Sequence, residues 1–151
     1  MDDTRDLALR MLQGCVAGRT HQIARIVSAQ YDAALKPYGL TANQLTLLCM
    51  TAVMQPVRPR DMLPYLKMEQ STLSRSLDRL VKNGWLKRDT DPEDSRSHRM
   101  ALTSQGTTKL AEAQAGWGEA QAWADEAMGK QGIASFTKVA RQLNPLMPEA
   151  E

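Results

Sequence analysis

A chain of 151 residues, 42% hydrophobic and 24% charged, has the length of one domain with its own core and lies outside the compositions of disordered or fibrous chains. Two cysteines, Cys15 and Cys49, far apart, exclude a disulfide framework and a CxxC metal or redox motif, while the net charge of +2 excludes nothing by itself. The uncharged stretch Leu40 to Val57 carries Thr41, Asn43, Gln44, Thr46, Thr51, Gln55 and Pro56, too polar for a membrane span of about 20 mostly apolar residues. The acidic start Met1-Asp2-Asp3 is unlike a secretory leader, so a cytoplasmic location and no membrane partner are expected.

Residues 5–36 read as one long helix. Leu12, Val16, Ile23, Val27, Tyr31 and Ala34 recur near three- and four-residue spacing, Arg10, Arg19, Arg25 and Asp32 lie off that stripe, and Pro37 and Gly39 end it. Thr41-Ala42-Asn43-Gln44 has the form of a capping box, in which hydroxyl and amide satisfy each other's orphan backbone donors. It opens a second helix through Leu45, Leu48 and Ala52 to Met54, stopped by Pro56. Pro59 suits the first position of a third helix, but Pro64 inside it removes a hydrogen bond and clashes, at a cost of about 3 kcal/mol. That helix is expected to be short, kinked or broken.

Gln70 to Asn83 is a cleaner helix with Leu73, Leu77, Leu80 and Val81 as its buried stripe and Gly84 as its stop. Trp85 to Thr90 and Ser97 to Thr103 read as short strands, and Asp91-Pro92-Glu93-Asp94-Ser95 between them makes a charged hairpin tip. Ser104 can cap a fifth helix to about Met128. Its stripe of Leu110, Ala113, Trp117, Ala120, Ala124 and Ala127 is mostly small, which lets another helix approach closely. Gly129 to Gly132 break it, and Ile133, Phe136, Ala140 and Leu143 mark a last helix ended by Pro145 and Pro148.

Charge is not spread evenly. Val57 to Arg88 holds eight basic and three acidic residues, a surplus of +5, whereas residues 1–55 carry +1 and residues 104–151 carry −2. A compact basic middle is the footprint of a polyanion-binding surface. The same middle is helix, short helix, helix, hairpin, and the second of two helices joined by a tight turn is the one a DNA major groove receives. Near its start Gln70, Ser71, Thr72 and Ser74 can reach phosphates or base edges, and Arg75, Arg79 and Lys82 line its outer face. Lys87 and Arg88 are placed to flank the phosphate backbone, and Asp78 is expected to pair with Arg75 or Lys82 along the helix. Glu69, at the N-cap, suits the helix dipole but repels phosphate. No Gly-rich phosphate loop, G-x-S-x-G or HExxH occurs, so no enzyme is expected.

The run from Gln70 to Gly84, Trp85-Leu86-Lys87-Arg88, Asp91 to Arg96 and Leu102 to Gly106 together resemble the MarR family of winged helix-turn-helix regulators, over nearly the whole chain. Asp94, Arg96, Leu102 and Thr103 meet that family's wing pattern, Asp-x-Arg-x5-Leu-Thr. The resemblance implies a mainly α fold with a small β-hairpin wing (α+β) in a single unit, 1–151. It implies a winged helix-turn-helix over 40–103 and dimerisation helices over 1–38 and 104–147. A homodimer on a pseudo-palindromic double-stranded DNA operator follows, with Arg96 entering the minor groove and Asp94 orienting it; a narrow A-tract groove suits such a guanidinium.

The resemblance also implies a repressor released by a small aromatic or phenolic acid bound between the dimer helices and the winged part, for which His21, Arg25, Tyr38, Met50, Met54 and Trp117 are candidates. A redox-sensing branch of the family makes Cys15 a second reading. Alignment on Tyr31, however, places the sensing position at Ala17, on the opposite helix face, so Cys15 is expected to be a packed thiol. With His21 and His98 the only histidines, no metal or other cofactor is expected. The other alternative is a winged-helix interaction module that does not bind DNA.

Overall fold

The computed structural model describes residues 2–146. Two helices, α1 (Asp2–Gly14) and α2 (Val16–Leu35), stand where one helix over 5–36 is expected. Between them Cys15 is extended, at φ −73° and ψ 105°, and its Sγ accepts the Gly18 N–H at 3.3 Å. Glycine and cysteine are weak helix formers, so a side chain able to cap is enough to interrupt the periodic pattern and restart it. The Cys15 thiol is exposed, which corrects its expected burial. A 3-10 turn, Lys36–Tyr38, follows, and Gly39 closes it at φ 72°, where a side chain would be strained.

The capping box forms as read. The Thr41 hydroxyl accepts the Gln44 N–H at 3.2 Å and the Gln44 amide oxygen accepts the Thr41 N–H at 3.0 Å, opening α3 (Ala42–Met54). The Asp32 carboxylate accepts the Ala42 N–H at 2.7 Å and so ties α2 to the same helix start. Of the three outcomes expected at Pro64, the structure takes the short one. Helix α4 (Pro59–Leu66) has eight residues, includes Pro64, and ends at Lys67 with φ 52°. Helix α5 (Gln70–Lys82) follows, with Leu73, Leu77 and Leu80 buried.

Strands β1 (Leu86–Asp91) and β2 (Asp94–Leu102) pair antiparallel from Leu86↔Leu102 to Thr90↔His98, with a register shift before Asp91↔Asp94. The tip is therefore only Pro92 and Glu93, shorter than the expected five-residue turn, because Asp91, Asp94 and Ser95 belong to the strands. Val57 adds a one-residue third strand, exchanging backbone bonds of 3.0 and 2.8 Å with Met100.

The segment α6 (Ser104–Leu143) is two helices meeting at a kink, as expected, and the break expected over Gly129–Gly132 falls on Gly129, at φ 70° and ψ 161°. Thr103, not Ser104, is its N-cap: its Oγ1 accepts the Gly106 N–H at 3.0 Å and donates to the Gly84 carbonyl at 2.6 Å. That junction requires glycine at 106, since a Cβ there would lie 1.9 Å from the Trp85 carbonyl oxygen. Asn144 closes the helix just before Pro145, the first of its two expected stops; Met147, the end of the expected dimerisation segment, and Pro148, the second stop, lie outside the described residues.

The core runs from Leu35 and Leu40 through Leu47, Leu48, Met62, Leu73, Leu77 and Leu80 to Leu86, Met100 and Ala113. The small-residue seam of α6 is real: Ala113, Ala120 and Ala124 are buried. Gly116 approaches α2 so closely that a Cβ would lie 2.6 Å from the Ala34 carbonyl oxygen. Trp117 and Ala127 leave that seam and are exposed, because Gly116 rather than its neighbour faces α2. Among the described residues no helix is long and apolar enough to cross a membrane.

Candidate nucleic-acid interface

Helix α5 buries its leucine stripe against the core, and this turns the opposite face outward. Gln70, Ser71, Ser74, Arg75, Arg79 and Lys82 are exposed there and Thr72 is half-buried. Among the described residues, Arg75, Arg79 and Lys82 make no side-chain hydrogen bond or ion pair, so three cations stand free on one helix. Glu69 occupies the N-cap without a side-chain cap bond.

The hairpin tip is held in a different way. The Asp94 carboxylate accepts the Ser97 hydroxyl at 2.7 Å and the Arg96 N–H at 3.0 Å. These bonds, the Ser97 hydroxyl first, hold the Asp94 carboxyl below the usual carboxylate range. The Arg96 guanidinium is 3.9 Å from the same carboxylate and its side chain is 95% exposed. Asp94 thus fixes the Arg96 backbone and keeps its exposed guanidinium at ion-pair distance.

Behind the tip lies a cluster that sequence reasoning missed. The Asp91 side chain is 0% exposed and is paired with Arg58 and, at 3.0 Å, with Arg99. Glu93 takes the same two arginines at 2.6 and 3.0 Å, and the Glu93 N–H donates to Asp91 at 3.0 Å. The hydrogen bond from Arg58, foremost, holds the Asp91 carboxyl well below its ordinary value. Asp91 reads as a turn residue in the sequence; the only signal against that was an aspartate joined to a run of cations 33 residues upstream, which no local pattern reports.

Four of the eight cations in the basic window are paired within the chain. Arg58 belongs to the Asp91 cluster, Arg88 pairs with Asp78, Lys87 lies 2.9 Å from Asp89 and Arg60 lies 3.8 Å from Asp61. The expected partners of Asp78, Arg75 and Lys82, are corrected: packing of β1 beside α5 brings Arg88 to it across the turn, and a tertiary neighbour displaces the helical one. Between α5 and the wing is a notch of 330 Å³, with Gln70, Ser74 and Asp78 on one side and Ser97 and His98 on the other.

The six effector candidates differ in burial. Met50 is buried in the core, Tyr38 and Met54 are half-buried, and His21 and Arg25 are exposed on α2. Trp117 lines a cavity of 180 Å³ with Leu45, Cys49, Leu110, Ala113 and Gln114. Burial pushes the Cys49 thiol up, away from the reactive thiolate. Among the described residues no group of three or more His, Cys, Asp or Glu is placed to hold a metal ion.

A short helix, an outward-facing second helix and a two-stranded hairpin define a winged-helix protein. Residues 40–98, most of the winged part, match the model of the MarR family, a family of transcription regulators. An HTH-type transcriptional regulator of Bacillus subtilis, YwoH, is 30% identical over 92 residues, 61% of this chain and 66% of that protein. The multiple antibiotic resistance protein MarR of Escherichia coli is 35% identical over 72 residues, 48% of this chain and half of that protein. The chain thus spans a little under two thirds, or about half, of these relatives.

Solved structures extend the likeness of fold. A mutant E. coli MarR complexed with operator DNA has a TM-score of 0.78 at 22% identity, covering 88% of this chain and 96% of that one. The transcriptional repressor CouR bound to a 23-mer DNA duplex has a TM-score of 0.79 at 19% identity, covering 88% and 94%. The likeness of shape thus covers 88% of the chain, more than the 92 residues aligned with YwoH.

Proposed function

We propose that the chain is a sequence-specific regulator that binds double-stranded DNA as a homodimer and represses transcription from a pseudo-palindromic operator. The observation that carries this reading is the pairing of three free cations on α5 with the 95% exposed Arg96 at the wing tip, on two elements that border one notch. A helix of this kind suits the major groove and an inserted guanidinium suits the minor groove beside it. Gln70, Ser71, Thr72 and Ser74 supply short polar contacts at the start of α5, and Asp94 orients Arg96. Arg88 contributes to the surface through its pair with Asp78. The relatives bound to operator DNA or a DNA duplex support the same reading.

Residues 1–38 and 104–147 serve as the dimerisation helices around the 40–103 winged part. Their exposed apolar side chains support this: Leu12 at 73%, Val16 at 74% and Leu143 at 79%. The proposed effector is a small aromatic or phenolic acid, and the cavity beside Trp117 is the size that holds a single ring, since an engineered void of about 150 Å³ binds benzene.

The test is a mobility-shift titration with DNA from upstream of the chain's own gene, run at several salt concentrations. Binding weakens steeply with salt as phosphate contacts release counterions. Arg75→Glu and Arg96→Glu each abolish the shift while the solution mass stays dimeric; unchanged affinity in both variants refutes the assignment. Thermal shifts with aromatic acids test the effector, because a ligand that binds only the folded state raises the melting temperature.

A further inference from the structure

At its base the hairpin shares the core with α5 through Leu86 and Met100, but nearer the tip the notch is open, so direct packing does not set the separation of Ser97 and His98 from Gln70 and Ser74. Ion pairs beside it do the connecting. Arg88 of β1 meets Asp78 of α5. Arg58, at the N-cap of α4, meets Asp91 of β1 and Glu93 of the tip, and Arg99 of β2 meets the same two carboxylates. Val57, one residue before Arg58, is locked to Met100 of β2 by two backbone bonds, so the segment entering α4 is joined to the wing by main chain and side chain alike.

Asp91 is the centre of this joint. Its carboxylate is fully enclosed and accepts from Arg58, Arg99 and the Glu93 N–H. A buried ion pair adds little net stability compared with apolar packing, and its value lies in the geometry it enforces. The joint is also close to the working end: only Pro92 and Glu93 separate Asp91 from Asp94, which holds the Arg96 backbone.

We propose that Arg58, Asp91 and Arg99 are positioning residues that set the distance between α5 and Arg96, and hence the base-pair separation between the major-groove and minor-groove contacts that the protein accepts. One base pair advances the duplex axis by about 3.4 Å. A hairpin free to rock by that amount seats Arg96 at either of two neighbouring steps; a hairpin joined to α4 does not. The inference rests on the DNA-binding reading above.

The experiment uses the full chain, its operator, and duplexes with one base pair inserted or deleted between the α5 and wing contacts located by footprinting. The wild-type protein is expected to bind the altered duplexes about tenfold or more weakly, the order of a mismatched base pair. Asp91→Asn, which keeps the shape and removes the charge, is expected to bind its own operator less tightly and to distinguish the duplexes by about twofold or less. A uniform loss on every duplex marks a merely structural role and overturns the proposal, as does wild-type discrimination in a folded Asp91→Asn protein. If that variant does not fold, Arg58→Gln and Arg99→Gln, which each leave Asp91 one cation, give the same two readings. A wild-type chain that binds no duplex overturns the DNA-binding reading itself.

Discussion

The winged part and the helical arms treat their apolar residues in opposite ways. From Leu35 to Ala113 the large side chains close on one another, and Leu47, Leu48, Met62 and Leu80 are fully buried. In α1, the start of α2 and the far end of α6, Leu12, Val16, Phe136, Val139 and Leu143 stay half or more exposed. The winged part engages Arg58, Arg88 and Arg99 in internal pairs, leaves Arg75, Arg79 and Lys82 unpaired and sets Arg96 exposed beside Asp94, whereas the arms show their apolar side chains among exposed charges such as Arg10, Arg19 and Arg25. One half is thus folded around its own core, and the other leaves apolar side chains uncovered. In the proposed dimer a second copy covers them and holds two winged parts at a fixed separation.

Substituting the arms is expected to have the largest effect. Leu12→Glu with Phe136→Glu should convert the dimer to monomers in sedimentation at micromolar concentration. Operator binding should fall by about a hundredfold or more because two linked half-site contacts become independent, with helical content of the winged part retained. A dimer that survives both charges would assign the exposed hydrocarbon to some other contact. Within the winged part, Gly106→Ala puts a Cβ against the Trp85 carbonyl and should cost about 1–3 kcal/mol in chemical denaturation. Gly118→Ala, which meets nothing within 4 Å on α6, should instead stabilise by up to about 1 kcal/mol.

Thr41→Ala removes a formed capping box and is expected to cost about 1 kcal/mol. The smallest effect is that of mild acid. Because the Arg58 bond holds the Asp91 carboxyl below its ordinary range, the stabilisation it provides is complete above the unfolded aspartate value of about 4. It is lost only as pH falls further, through the folded value. Asp91→Asn should therefore leave the stability profile between pH 5 and 7 parallel to the wild type and flatten it below pH 4, as measured by thermal melts.

Much of this was legible in the residues. The capping box at Thr41, the leucine stripe of α5, the alanine seam of α6 and the break at Gly129 are features whose partners lie within about four residues of one another, and reading along the chain suffices for them. The wing pattern likewise placed Asp94 and Arg96 together because their contact spans two residues. Cys15 was harder: an unbroken apolar period concealed an interruption produced by one thiol and one glycine.

Apart from the interruption at Cys15, the sequence alone determined the main elements, their order, and which face of α5 turns outward, since backbone hydrogen bonding and helical periodicity are short-range. Only the tertiary structure decided which charges remain free. Arg58 and Arg75 look alike in the sequence, yet packing of α4 against the hairpin encloses one with a carboxylate 33 residues away and leaves the other in solvent. The physical reason is that an ion pair forms between whichever groups the folded core brings within reach, and that choice is made by the shape of the whole domain.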